Sequence, residues 1–226
     1  MRRWLTSPRT NMAIPNRLPP ETERVLRVYE KDAHKYDREM GLFDWLLFAG
    51  GREWVCAQAS GEVLEIGIGT GRNLPHYPDG VRLTAVELSP AMLGIARARA
   101  RELGRDVDLR LGDAQALEFP ERSFDTVVCT LALCTIPDDR VAVAEVRRVL
   151  RPGGRFLLLE HVRSPLLPVR LGQRLLEPLA TRFQADHLLR EPLEHLRAEG
   201  FKVEQLERSK LGIVERVAAR KPVAAE

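Results

Sequence analysis

Val63-Leu64-Glu65-Ile66-Gly67-Ile68-Gly69-Thr70-Gly71 is the stretch on which the fold turns. A short apolar run suited to a buried strand ends in three alternating glycines, and a helical stretch is expected near Leu74. Glycine lets the backbone approach a ligand closely and adopt conformations barred to other residues. A helix N-terminus beyond such a loop offers free N–H groups and a positive dipole end to an anionic group. That much suits any nucleotide-like ligand. The dinucleotide fingerprint is G-x-G-x-x-G, whereas the glycines here fall as G-x-G-x-G with Arg at position 72. Glu65, two residues before Gly67, is also extra to that fingerprint.

Outward from this loop the chain alternates short apolar runs with helical stretches. Glu62–Ile66, Arg82–Glu87, Asp108–Leu111, Asp125–Thr130 and Arg155–Glu160 read as strands. Between them lie helices near Leu74, from Pro90 to Leu103 and from Arg140 to Leu150, the last closed by Arg151-Pro152-Gly153-Gly154. Alternation of this kind predicts an α/β domain with a parallel sheet covered on both faces. Upstream, Glu21 to about His34 reads as one helix and Leu42–Ala57 as a second amphipathic segment, broken at Gly50-Gly51. Downstream, residues 163–190 are rich in Leu and Arg, Glu191–Glu199 reads as a helix, and Phe201–Leu206 with Val214–Ala219 reads as a hairpin.

Two further acids give the loop a specific ligand. Glu87 ends the second strand, where a carboxylate can accept both hydroxyls of an adenosine ribose. Asp113, in Leu111-Gly112-Asp113-Ala114 after the third strand, can accept from an adenine amino group while the Ala114 N–H meets a ring nitrogen. Leu88 and Met92 are placed to pack on the adenine faces. Glu65 would orient the loop and, directly or through water, the cationic amine of a methionine moiety. Any one of these acids can be a helix cap or turn residue. Three at successive strand ends beside one crevice favour a bound S-adenosylmethionine, with Thr70 and Asn73 counted among the loop's polar contacts.

Glu65-x-Gly67-x-Gly69-x-Gly71, Glu87, Gly112-Asp113-Ala114, Phe124-Asp125-Thr126-Val127-Val128 and Leu150-Arg151-Pro152-Gly153-Gly154 together resemble the ordered motifs of class I methyltransferases. The resemblance covers roughly residues 60–162. It implies a Rossmann-like sheet of seven strands in the order 3-2-1-4-5-7-6, strand 7 antiparallel, and it sets Thr130 and Leu131 against the methionine part of the cofactor. The expected layout is a basic tail (1–20) and one domain (21–222). Within the domain lie a helical cap (21–58), a cofactor core (59–162), a helical lid (163–190) and a C-terminal helix and hairpin (191–222). Cys129-Thr130-Leu131-Ala132-Leu133-Cys134, Glu160-His161-Val162 and Leu176-Glu177-Pro178 look like the methyltransferase-like protein 7 group, which methylates small thiols. The chain departs from that group in lacking its N-terminal membrane helix and in carrying Ile68 where Cys is common. The plan is also similar to quinone C-methyltransferases and bacterial phosphatidylethanolamine N-methyltransferases.

A sulfonium methyl is already electrophilic, so the protein's main task is to align an acceptor with it. A base is needed only where the acceptor must lose a proton early. His161, at the carboxyl end of the fifth strand, is a candidate to deprotonate or orient an acceptor, or a structural hydrogen-bonder. Tyr36, in Ala33-His34-Lys35-Tyr36-Asp37, resembles the A-x-x-Y-D segment of quinone C-methyltransferases, whose Tyr lies over the cofactor; helix packing is its plain alternative. His187 and Arg190 are candidates to line the pocket. The Leu/Arg stretch 163–190 reads as a lid, or as a face resting on a membrane. The acceptor is expected to be small and lipophilic: a thiol, a quinol or phenol, or a phospholipid amine. A non-catalytic S-adenosylmethionine-binding protein and a methyltransferase acting on RNA or protein are the alternatives.

Bulk properties bound these readings. The chain has 226 residues, enough for one large domain, and a net charge of only +3, with no basic stripe of the kind nucleic-acid binders carry. Arg2, Arg3, Arg9 and Arg17 make the first twenty residues a basic tail, or a weak anchor to anionic headgroups. No apolar run reaches the roughly 18 residues of a membrane span. Three cysteines, Cys56, Cys129 and Cys134, without a CxxC pair or an adjacent His cluster, favour neither a disulfide framework nor a metal site and point to the reducing cytoplasm. The oligomeric state is not legible.

Overall fold

The computed structural model describes residues 18–223, so the basic stretch up to residue 17 lies outside the described residues. Seven strands form one sheet: β1 (Glu62–Ile66), β2 (Arg82–Glu87), β3 (Val107–Leu111), β4 (Phe124–Thr130), β5 (Leu150–His161), β6 (Lys202–Ser209) and β7 (Val214–Arg220). Their order is β3-β2-β1-β4-β5-β7-β6. β1 to β5 run parallel and β7 pairs antiparallel with both β5 and β6. This is the Rossmann-like class I arrangement that the motifs implied.

The central strands are apolar on both sides because each side has its own core. Leu64, Ile66, Val127, Cys129, Phe156 and Leu158 pack on one face, and their neighbours Val63, Val128, Leu157 and Leu159 pack on the other. Side chains alternate across a strand, so a continuous apolar run serves two layers at once. One layer is supplied by α4 (Asp139–Val149) and α6 (Pro192–Ala198), the other by α2 (Gly51–Cys56) and α3 (Pro90–Glu102). Local chemistry sets the helix starts: Ser89 Oγ accepts from the Met92 N–H at 3.2 Å and Asp138 Oδ1 from the Val141 N–H at 3.1 Å.

Three elements depart from expectation. α1 runs unbroken from Pro20 to Leu46 instead of ending near His34. No Gly or Pro interrupts residues 21–40, and the polar middle that blurs the apolar pattern has polar partners in the fold. The break at Gly50 is present, with φ +70°. After the glycine loop there is only a short 3-10 turn, Leu74–His76, where an α-helix near Leu74 was expected. Pro78, two residues beyond His76, bars its extension, so no α-helix follows the loop directly. β5 starts at Leu150 rather than Arg155, so the predicted turn at 151–154 lies within the strand, beside an irregularity in its pairing with β4. The 163–190 stretch contains one helix, α5 (Leu167–Gln184).

Candidate active site

The carboxyl ends of β1, β2, β3 and β4 meet beneath α1 around a cleft open to solvent, about 700 Å³ with its open mouth included. Gly67, Gly69, Glu87, Leu88, Met92, Gly112, Asp113, Ala114 and Leu131 all line it, so most of the expected cofactor residues converge. A smaller cavity of about 260 Å³ is lined by Tyr36, Arg52, Thr70, Arg72, Thr130 and Leu131, with the loop backbone at Gly67–Gly69. Gly67, Gly69, Tyr36 and Leu131 border both.

Glu87 is the hinge of the larger cavity. One carboxylate oxygen accepts from the Gly69 N–H at 2.8 Å and the other from the Ser89 N–H at 2.9 Å. Burial pushes its pKa up, opposed by those backbone donors. Asp113 accepts from the Gln115 N–H at 2.9 Å, a local turn that holds the Gly112–Ala114 backbone against the cavity. Gly69 has φ +57°, and a Cβ built there meets nothing within 4 Å. The space in front of it therefore belongs to the cavity. Gly67 and Gly71 differ: an added Cβ would strike Ala132 at 2.6 Å and Leu74 at 2.9 Å respectively. These two let the loop pack; Gly69 lets a ligand approach.

Three of the expected contacts stand behind the cavities instead of lining them. Glu65 is buried, its carboxylate accepting from Asn73 Nδ2 and from the Tyr77 hydroxyl, both at 2.8 Å. Burial raises its pKa to about 7. Asn73 also bonds Thr130 Oγ1 at 2.6 Å and accepts from Arg52 Nη1 at 3.0 Å. Glu65, Asn73 and Gly71 thus brace the loop, and it is Arg52, missed in the sequence, that borders the smaller cavity. Leu131 holds φ +53°, uncommon for a branched residue, between Thr130 and the turn at Ala132. Buried Glu160 fixes that turn by accepting from the Ala132 and Leu133 N–H groups, each at 2.9 Å.

α1 roofs the site, with Val25, Leu26, Tyr29 and Tyr36 facing the larger cavity. Three acids latch it. Glu30 accepts from the Ser89 hydroxyl at 2.6 Å, Asp37 from the Thr70 hydroxyl and the Arg99 guanidinium, and Asp44 from Arg52 and Arg72, each at 2.9 Å. Burial works to raise the Asp37 pKa, but Thr70 and Arg99 outweigh it and hold the group below the usual carboxylate range. Tyr29 and Tyr36 meet edge to face at 6.2 Å, and burial raises both phenol pKa values.

His161 lines neither cavity. Its Nε2 lies 2.9 Å from Asp186 Oδ1, and with Cys134 these groups offer three donor atoms within 4.8 Å of one another. Burial lowers the imidazole pKa, Asp186 with Glu160 and Glu177 more than restores it, and the net shift is upward. Arg190 does not line the pocket either. It pairs with Asp139 and donates to the Ile136 and Pro137 carbonyls, and His187 lies 3.4 Å from Glu177. Cys129 and Cys134 are buried thiols.

The residues fit S-adenosylmethionine: a two-oxygen acceptor at Glu87, apolar Leu88, Met92 and Ala114 beside it for an adenine, and cationic Arg52 and Arg72 by the smaller cavity. The comparisons agree. Residues 64–158 match a family model described as a methyltransferase domain. The chain is 40% identical over 114 residues to a phosphatidylethanolamine N-methyltransferase of Cereibacter sphaeroides, covering 48% of this chain and 56% of that protein. It is 35% identical to the thiol S-methyltransferase TMT1B of Rattus norvegicus over 64% of this chain and 62% of the relative. A demethylmenaquinone methyltransferase of Tropheryma whipplei is 30% identical over 82% of this chain and 80% of its own length. In fold it is similar to geranyl diphosphate C-methyltransferase of Streptomyces coelicolor A3(2), with TM-score 0.70 at 16% identity, covering 91% of this chain and all of that one. The fold and site define an enzyme of the Rossmann type with an adenosine-bearing cofactor. The chain belongs to the class I S-adenosylmethionine-dependent methyltransferases, and S-adenosylmethionine is its cofactor.

Proposed function

We propose that this enzyme methylates a small lipophilic acceptor bound between α1 and the β4–α4 turn. The carrying observation is the composition of the cavity wall away from Glu87: Val25, Leu26, Leu131, Ala132 and Ile136 are apolar, and Tyr29, Tyr36, Gln115 and Thr135 supply its polar groups. Apolar walls with a few placed hydroxyls bind greasy molecules and set their orientation. The printed substrates of the relatives, a phospholipid amine, thiols and a quinone precursor, support the same class. Such acceptors concentrate at membrane surfaces, so the reading places the protein's work at or beside one.

When bound, the cofactor supplies an electrophilic methyl group that needs no activation by the protein. Glu87, Asp113 and the Gly112–Ala114 backbone hold the adenosine part, and Arg52 with the Thr130–Leu131 backbone holds the other end. Tyr36 borders both cavities and orients the acceptor; Tyr29 does so from two turns away on the same helix face. α1 excludes water. His161, engaged by Asp186 outside both cavities, has a structural role.

A radiolabelled methyl-transfer panel of alkyl and aryl thiols, demethylated quinols, phenols and phosphatidylethanolamine tests this reading. Turnover is expected on at least one class, reduced at least tenfold in Tyr36→Ala. Transfer confined to RNA or protein, or to none of the panel, would contradict it.

A further inference from the structure

α5 reverses the usual order of polarity. Of its eighteen residues, only Gln173 is buried. The Gln173 amide donates to the carbonyls of Val162 and Leu188 and accepts from the Ser164 N–H, at 2.8 to 3.0 Å, tying the helix down by polar contacts. The apolar side chains face out. Leu167, Leu171, Leu175, Leu179 and Phe183 recur every four residues along a ridge inclined to the helix axis, each leaving between 53% and 79% of its surface exposed. Stripes of this kind on a helix normally face a core.

The charges on this helix have one sign outward. Arg174 and Arg182 are exposed, and neither has an ion-pair partner among the described residues. Glu177, the helix's one acid, turns inward to accept from the Leu188 N–H at 2.7 Å. No helix among the described residues is long and apolar enough to cross a membrane. Eighteen residues span about 27 Å, enough to lie along a surface. The exposed apolar character continues past the helix: Ser164, just before it, donates to the carbonyl of Leu211, which is itself 65% exposed.

We propose that the outer face of α5 docks on an anionic lipid bilayer, its leucines entering the acyl boundary and its arginines meeting headgroup phosphates. A basic helix with an apolar face is the form that interfacial binding takes. Charge selects the bilayer over a second copy of the chain, since two such faces apposed would set arginines against arginines. The purpose of the docking, access to a lipid-dissolved acceptor, rests on the proposed function; the docking itself does not.

Sedimentation of the full chain with vesicles of equal parts phosphatidylglycerol and phosphatidylcholine, without acceptor or cofactor, tests it. The protein should pellet with these vesicles, at least fivefold less with phosphatidylcholine alone or at high salt. Leu175→Glu with Phe183→Glu should abolish pelleting, and Arg174→Glu with Arg182→Glu should remove the salt dependence. Both double variants should keep S-adenosylhomocysteine affinity, which shows that they fold. No pelleting of the wild type overturns the proposal, as does a stable dimer by light scattering that the Glu variants split. Pelleting only after residues 1–17 are removed would show the chain's own N-terminal segment on this face, and also overturns it. Failure on vesicles with turnover on the acceptor panel sinks the docking alone; the converse sinks only the lipophilic acceptor.

Discussion

The glycines of the loop do separate jobs that their spacing alone does not distinguish. Gly67→Ala sets a Cβ into Ala132, whereas Gly69→Ala sets one into empty space the ligand needs. Both pay the left-handed backbone penalty of about 1 kcal/mol. Thermal melts and calorimetry should therefore show Gly67→Ala losing more stability, and Gly69→Ala losing tenfold or more affinity for S-adenosylhomocysteine with a smaller melting shift. Equal effects in both assays would contradict the division. Glu65 makes a pH prediction. Its folded pKa of about 7 lies above the unfolded value near 4.3, so the stability it contributes is full below about pH 4 and is lost as pH rises through about 7. Glu65→Gln removes the charge while its amide oxygen still accepts from Asn73 and its NH2 donates to the Tyr77 oxygen, reversing that bond. Between pH 5 and 8 the wild-type melting temperature should fall relative to the variant by on the order of 5 °C. Parallel pH profiles would rule this out.

At the scale of elements, the site depends on struts that look ordinary in sequence. Arg148 on α4 donates to the carbonyls of Leu117 and Phe119, at 2.6 and 2.7 Å, and Glu145 accepts from the Leu117 N–H. Together they pin the segment that carries Gly112–Ala114. Arg148→Ala is expected to weaken S-adenosylhomocysteine binding about three- to tenfold by calorimetry while leaving the β-sheet spectrum intact; unchanged affinity would show that the segment holds itself. The strands and the Glu87 and Asp113 positions were legible because buried parallel strands read as short apolar runs, and acids at their ends stand out. The latching face of α1 was not read, since acids on a charged helix look like a solvated surface. Glu30, Asp37 and Asp44 nonetheless recur every seven residues, as do Tyr29 and Tyr36, and that spacing puts each set on one side of a helix. For α5 the periodicity was visible and both a lid and a membrane-facing surface were read from it; that Gln173 is the helix's one buried residue was not legible.

For the whole molecule, the two cores fix a sheet buried on both faces, and its strand order gathers four strand ends under one helix. Residues from β1, β2, β3 and β4 are remote in sequence, and only this topology makes Glu87, Asp113 and Leu131 neighbours of a single cavity. His161 shows the limit of reading by position: it sits at the right end of β5 yet is engaged by Asp186, from a segment whose path the sequence does not reveal. The central claim is that Glu87 organises an S-adenosylmethionine site rather than a dinucleotide site. Titration calorimetry of the wild type and Glu87→Ala with S-adenosylhomocysteine and with NAD tests it most directly. The account predicts binding of S-adenosylhomocysteine alone, weakened roughly 10- to 100-fold by Glu87→Ala, as loss of hydrogen bonds to a charged acceptor implies. Tighter binding of NAD, or S-adenosylhomocysteine affinity indifferent to residue 87, would contradict it.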